Sequence, residues 1–375
     1  MRKPLIRRAF KMIMLILNII IVLFYLLACS SAYLNPSTWW MISIIGLSFP
    51  YLAILLLLFV VFWFIAKPKI AWVSLLLLLV GIPQFVVFFS TKSISFFNTF
   101  KNNNSIRIIS WNVQSFNGMM NNKTAKKLTR TEIENTINKY QPDIICMQEF
   151  NTSGINNESN NISLFKNNYP FHFFSADYKR RNGLYKSGCI IFSKLPIVAS
   201  GRLPYANAES LIYVDVLNNA DTIRVFTTHL QSFKFKKEDY NELDHLTEAN
   251  DASIAASKNI IKKMKFALRN RSEQVTLIKN TIDTTRYPNI LCGDFNDVPY
   301  SYTYFTLKKN RQDAFLQKHF GIGKTFIGLA YSLRIDYILP NNNFEIQQFD
   351  LIDENLSDHL MLVADVTLRN MQHNK

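Results

Sequence analysis

The first hundred residues contain no aspartate and no glutamate, and between Lys11 and Lys67 there is no charged side chain of either sign. So long a run without charge excludes an ordinary globular start and calls for a bilayer. Eight basic residues are all this part carries: Arg2, Lys3, Arg7, Arg8, Lys11, Lys67, Lys69 and Lys92. The chain has 42 Lys+Arg against 27 Asp+Glu, so residues 101–375 keep 34 against 27. About half of the net +15 therefore belongs to the anchor, and the remainder is only moderately basic. Cysteine is also scarce. Cys29 lies in an apolar run, and Cys146, Cys189 and Cys292 lie in short strand-like runs. Three thiols cannot all pair with one another, so they read as small buried apolar side chains and leave the compartment open.

What is present at the start fits three transmembrane helices, at about 10–34, 39–66 and 70–90. The break between the first two falls at the turn sequence "NPST", and Gly81 and Pro83 in the third are tolerated in membrane helices. The first apolar run is too long for a cleaved signal peptide, and a second follows at once. Basic residues precede the first helix and fill the second loop, whereas the first loop has none. By the positive-inside bias the amino terminus is cytoplasmic and residues from 91 onward lie on the opposite side. In a bacterial inner (cell) membrane that side is periplasmic or extracellular.

Residues 92–104 read as a polar linker, 105–369 as one large domain and 370–375 as a tail. The domain shows short runs rich in Ile, Val and Phe: Arg107–Asn112, Asp143–Glu149, Gly188–Phe192, Ile212–Val216, Thr222–His229, Asn289–Asn296, Ile335–Leu339 and Met361–Thr367. Helical spacing appears over Leu128–Tyr140 and over Leu246–Ile282, the latter with an expected interruption near "RNRS". The expected class is mixed α and β with a β core.

Several apolar runs end in a polar side chain: Asn112 in "RIISWN", Glu149 in "DIICMQE", His229 in "IRVFTTHL", and Asp294 and Asn296 in "NILCGDFN". Strand alternation predicts that Asp294 and Asn296 project to one side. Gly293 before them leaves room for close approach of a backbone or a ligand. Asp358 and His359 stand just before the last strand. Burying Asp294 costs several kcal/mol (roughly) unless a cation or a donor compensates it. The set has no serine or cysteine nucleophile signature, and its carboxylate and amide oxygens suit a hard cation such as Mg²⁺ or Mn²⁺. A metal or a neighbouring imidazolium would compensate Asp294.

The motifs "SWN", "QE", "THL", "GDFN", "RIDYI" and "SDH", in this order, together with "SGCIIFSKLPI", resemble the endonuclease/exonuclease/phosphatase superfamily. The resemblance covers roughly Ile106–Leu368. It implies the pancreatic-deoxyribonuclease-like fold, here an α+β, four-layer α/β/β/α two-sheet sandwich preceded by the three membrane helices. It also implies a metal site of Asn112, Glu149 and Asp358, with Glu149 the direct ligand. His359 would be the catalytic histidine, oriented by Asp336. Asp294 and Asn296 would position the attacking water and the phosphate, or a second ion, and His229 would donate to a phosphate oxygen. Either Asp294 or His359 would take the water's proton.

The function expected is a membrane-anchored, Mg²⁺- or Mn²⁺-dependent phosphoesterase of nuclease type acting on nucleic acid. The alternatives are a lipid or inositol-phosphate phosphoesterase and a non-catalytic receptor or scaffold. His172, His245, His319 and His373 stand outside every motif and read as surface or packing residues. The basic runs Phe233–Lys237 and Lys262–Arg271 read as a solvated face, or alternatively as a guide for a polyanion.

Overall fold

The computed structural model describes residues 2–93, 96–102, 104–117, 123–155, 159–207, 209–235, 239, 251–328 and 333–369. His245, His373, the tail and parts of the expected linker and of Phe233–Lys237 lie outside them. The chain divides into two compact units. One comprises residues 1–88, 232–273 and 299–305; the other comprises residues 89–231, 274–298 and 306–375.

In the first unit, helix Arg2–Ser30 and helix Phe49–Ala66 are each long and apolar enough to cross a membrane. Pro68–Leu79 and Ile82–Phe88 form a third such run only if taken together, bent by 58°. The bend falls where Gly81 and Pro83 weaken the helix. The second apolar run is not continuous from Trp39. A short helix, Pro36–Gly46, ends at Leu47, and a new helix starts at Phe49 with Pro50 in its first turn. Proline there lacks only an amide that a helix start leaves unpaired anyway.

The second unit is a mixed α+β arrangement of two sheets. Its strands, in chain order, are β1 (Ser90–Thr91), β2 (Ile106–Asn112), β3 (Ile144–Ser153), β4 (Phe171–Phe174), β5 (Tyr178–Arg180), β6 (Tyr185–Ser193), β7 (Ile197–Pro204), β8 (Ser210–Asn218), β9 (Asp221–His229), β10 (Asn289–Asp294), β11 (Phe320–Gly321), β12 (Asp336–Pro340), β13 (Phe344–Ile352) and β14 (Met361–Leu368). One sheet has the order β13-β14-β2-β3-β6-β4, with β5 also on β6; the other runs β12-β10-β9-β8-β7. Strands β1 and β11 make a separate short ladder.

Alternation along the strands builds the core. Ile106 and Ile108 of β2, with Cys146 of β3 and Cys189 and Ile191 of β6, meet Val214, Val225, Ile290, Cys292 and Ile338 of the other sheet. The three soluble-part thiols are thus buried, unpaired core side chains. The alternate residues Ile109, Trp111, Ile145 and Met147 face outward and receive Ile133 and Ile137 of helix Lys123–Tyr140. Arg107 is the exception on β2. Fully buried, it pairs with Asp365 through Nε and Nη2 at 2.7 and 2.8 Å and donates to the Asn98 and Thr99 carbonyls. Breaking such a buried pair costs about 3–5 kcal/mol. These bonds, with the Phe97 ring packed on Tyr140, hold residues 97–99 against the sheet rather than leaving them a free linker.

Candidate active site

The sheet registers bring the polar strand ends together. Parallel pairing of β9 with β10 sets His229 opposite Asp294, and antiparallel pairing of β10 with β12 sets Asp336 opposite Asp294. Gly293 makes the first pairing this close. Its φ is +144°, and a Cβ there would meet the Thr228 carbonyl oxygen at 2.1 Å. The close approach expected of Gly293 is therefore to a backbone. Asn112 ends β2 in the facing sheet, and its Nδ2 donates both to Glu149 Oε1 (3.3 Å) and to Asp294 Oδ2 (3.1 Å), joining the two sheets.

Glu149 sits where the β3–β6 register slips between Met147 and Phe150, with φ +50°. A left-handed non-glycine residue costs about 1–3 kcal/mol, and a bulge re-aims the side chain. Here the carboxylate is left 38% exposed, at the rim. Asp358, 35% exposed, lies across from it and accepts from Gln114 Nε2 at 2.9 Å. Asp294 is only 1% exposed and lies at the floor.

His359 Nδ1 lies 3.0 Å from Asp336 Oδ2, which turns Nε2 toward Asp294 Oδ2 at 3.7 Å. The Trp111 indole donates to the His359 carbonyl, and the Phe326 ring lies 4.9 Å from the imidazole. His229 Nε2 is 3.5 Å from the same Asp294 oxygen, while its Nδ1 is 3.3 Å from Glu209 Oε1. Asp294 Oδ2 therefore lies among one amide donor and two imidazoles, and its Oδ1 accepts from the Asn296 backbone at 2.8 Å.

Asn296 corrects the expectation from alternation. The strand ends at Asp294, and Asn296 takes φ +51°. Its Nδ2 donates to the Leu230 carbonyl at 2.9 Å, so this residue braces the Asp294 turn instead of sharing a strand face with it.

Charge placement decides protonation. Burial disfavours a charged His229, but Glu209, then Asp294 and Glu149, outweigh it and push the pKa up to about 10. Burial opposes charge on His359 as well, and Asp336 and Asp294 again outweigh it, to about 10. For Asp336, burial raises the pKa to about 6, against the pull of His359. Burial also raises Asp358, with His359 opposing. Among the described residues, the only cations paired with these carboxylates are the two imidazoles.

Two donor sets fit a cation. Asp294, Asp336 and His359 offer ligand atoms all within 4.8 Å of one another. His359 and Asp336, however, already satisfy each other. Glu149 and Asp358 are partly exposed at the rim, held by side-chain amides and without a tight imidazole partner, and suit a hard ion better. Asn112 faces these carboxylates with its nitrogen, since its Oδ1 accepts from the Gln114 backbone at 3.0 Å. Its nitrogen is the atom that meets Glu149. All eight residues singled out in the sequence lie in this one cluster. Glu209, Gln114 and Phe326 were not legible, because none belongs to a motif or ends a long apolar run. His172 packs on Phe192, and His319 stacks on Phe315 near Asp350, both away from the cluster.

Glu209→Gln removes the charge nearest His229 Nδ1. The basic limb of the kcat/KM profile should then move to lower pH by roughly one to three units, with activity at pH near 6 changed only a few-fold. A pH–rate profile that keeps its basic limb would remove the protonated His229 from the reaction.

The family model described as "Endonuclease/Exonuclease/phosphatase family" matches residues 109–359, and a domain of unknown function matches residues 11–88. No curated protein matches the chain. Among solved structures, an endonuclease/exonuclease/phosphatase from Beutenbergia cavernae is 18% identical, with TM-score 0.50, covering 71% of this chain and 72% of that one. The human Nocturnin catalytic domain is 19% identical with TM-score 0.50, covering 72% and 95%. An endonuclease/exonuclease/phosphatase from Bacteroides vulgatus is 15% identical with TM-score 0.50, covering 71% and 99%. At these identities the likeness is one of fold.

Proposed function

The chain belongs to the endonuclease/exonuclease/phosphatase family, and from that premise we propose a membrane-held phosphodiesterase of nuclease type that uses Mg²⁺ or Mn²⁺. Metal-dependent phosphoester hydrolysis follows from the family and from the acid–imidazole cluster. The observation that carries the residue assignment is the surroundings of Asp294. It is a floor carboxylate between two imidazole Nε2 atoms, beneath a rim of Glu149 and Asp358.

A divalent ion held by Glu149 and Asp358 would neutralise charge on the phosphoryl group and polarise it. Asp294, fixed by Asn112 and the Asn296 amide, orients the attacking water and accepts its proton. Asp336 fixes the His359 ring through Nδ1 and favours its protonated form, so that the Nε2–H of His359 faces the reacting group as a donor. His229, held by Glu209, donates to a second phosphate oxygen. We read the architecture as the four-layer sandwich of the family, with helix Lys123–Tyr140 as one outer layer.

A lipid or inositol-phosphate substrate is the second reading, favoured by the apolar helices, which would hold the site near headgroups. The test is a panel on the full chain with Mg²⁺: single- and double-stranded DNA, RNA, phospholipids and inositol phosphates. Cleavage of nucleic acid at a kcat/KM well above that for lipids supports the nuclease reading. The reverse order replaces it, and no turnover on any phosphoester overturns both.

The anchor is read as three spans. Asn18 Nδ2 bonds Ser74 at 3.0 Å, Tyr25 bonds the Leu78 carbonyl at 2.7 Å, and Gln84 bonds the Cys29 carbonyl at 2.8 Å. These contacts advance together along both helices, which supports the bent pair running beside the first span instead of turning back. Within the same unit, Arg269 bonds the Ser37 carbonyl at 2.8 Å and Tyr300 bonds the Leu47 carbonyl at 3.4 Å. Such contacts support an even number of crossings between residue 47 and the later residues. With the basic residues inside, the catalytic part is exported. An alkaline phosphatase fused after Lys375 should be active, and a reporter that works only in cytoplasm should be silent there. The opposite pattern would reverse the topology.

A further inference from the structure

In the first unit, residues 257–273 belong to helix Asp251–Asp283. Ile260, Ala267, Leu268 and Arg271 are buried on one side of it. The opposite side carries Lys258, Ile261, Lys262, Lys265, Phe266 and Arg269, which are spaced three and four apart and so share a face. No acidic residue interrupts that sequence, and among the described residues none of its four cations forms an ion pair. Lys263, off the face, is occupied by Asp239 at 2.6 Å. An ordinary solvated face alternates charges of both sign. This one instead leaves Ile261 46% and Phe266 53% exposed among cations.

Its neighbours say what covers it. Lys265 Nζ lies 4.9 Å from the Trp40 ring, and Arg269 Nε bonds the Ser37 carbonyl. Ser37 and Trp40 lie in the short helix Pro36–Gly46, between the first apolar helix and the second, and Trp39 and Met41 beside them are 51% and 62% exposed. Tryptophan favours the headgroup level of a bilayer. The basic and apolar face is thus continuous with a tryptophan-bearing segment at the membrane boundary. Charge complementarity completes the argument, since anionic headgroups attract cations while Ile261 and Phe266 enter the acyl boundary.

We propose that Lys258, Ile261, Lys262, Lys265, Phe266 and Arg269 form a docking face for anionic phospholipid headgroups of the bilayer holding this chain. The proposal rests on the reading of the apolar helices as membrane spans. Each cation near such a surface strengthens binding roughly fivefold, so neutralising three should weaken it by about a hundredfold.

The test uses the full chain in nanodiscs of phosphatidylcholine with increasing phosphatidylglycerol. Retained phosphatidylglycerol is counted by native mass spectrometry. The wild type should retain it, and the triple variant Lys258→Gln/Lys262→Gln/Lys265→Gln should need about a hundredfold more for equal occupancy. Phe266→Ser should weaken retention a few-fold with all charges present. Both variants should keep wild-type turnover of a soluble phosphoester, which shows that they fold. Equal retention by wild type and triple variant overturns the proposal. So does loss of single-stranded oligonucleotide binding in the triple variant with lipid retention unchanged, which would make this a nucleic-acid face. Extraction of the wild type from membranes by alkaline carbonate would instead overturn the anchor reading on which the proposal stands.

Discussion

Asp294→Asn should lower kcat by about 10²–10⁴-fold, the usual loss on removing one strong catalytic group. The substitution keeps the shape of the side chain and leaves an oxygen for the Asn296 amide, which donates to Asp294 Oδ1 at 2.8 Å. It removes the charge that faces both imidazole Nε2 atoms, at 3.5 and 3.7 Å. Melting should report this through pH. His229 and His359 are each raised from 6.5 to about 10 in the folded chain, with Asp294 among the causes. A raised imidazole contributes stability that is full below its unfolded pKa and fades as pH rises through the folded value. The wild type should therefore lose melting temperature between pH of about 6.5 and 10, and Asp294→Asn should show a shallower loss. His359→Ala should cut kcat by a similar factor. Asp336 acts through the His359 Nδ1 bond at 3.0 Å, so Asp336→Asn with His359→Ala should be hardly worse than His359→Ala alone. Additive losses would break the pair. Retained activity with a large drop in melting temperature would make Asp294 structural.

The strands that place these residues were legible because they are buried on both faces. Asn112, His229 and Asp294 each end an apolar run, and all residues of β2 and β10 are buried. The strands that escaped notice carry weaker signals. Strand β7 is exposed at most positions, β4 and β5 are short, and β13 contains a bulge between Ile346 and Gln348. An edge strand has little apolar alternation to read. The long helix was expected to break near "RNRS", yet it runs unbroken from Asp251 to Asp283. Arg271 and Ser272 are buried there, with the Arg271 guanidinium 4.6 Å from the Phe233 ring. A cation on an aromatic face can lie inside a helix packing surface, which charge counting along the sequence does not reveal. Within the cluster, the sequence order carried the residues whose position follows from a strand end. Glu209 reaches His229 only through the folding of β8 against β9, and the turn of Glu149 at φ +50° depends on the β3–β6 register.

Removing divalent ions with a chelator should abolish phosphoester cleavage, and Mg²⁺ or Mn²⁺ should restore it. The reason lies in the rim. Glu149 and Asp358 stand 38% and 35% exposed, with no lysine or arginine paired to them among the described residues. The two imidazoles are already committed, His229 to Glu209 and His359 to Asp336. A phosphate brings further negative charge to acids that already outnumber the two imidazoles, and an added cation offsets it. Glu149→Gln exchanges one rim carboxylate for an amide of the same size. It should raise the Mg²⁺ concentration for half-maximal activity by tenfold or more and cut kcat at saturating metal by about 10²-fold. Asp358→Asn should act in the same direction. If the ion lay instead among Asp294, Asp336 and His359, Asp336→Asn would raise the metal requirement and Glu149→Gln would not. Metal titrations of the three variants, read both as activity and as melting temperature against Mg²⁺, separate the two placements. A metal-linked gain in melting temperature that survives Glu149→Gln and Asp358→Asn but disappears in Asp336→Asn would move the ion to the floor.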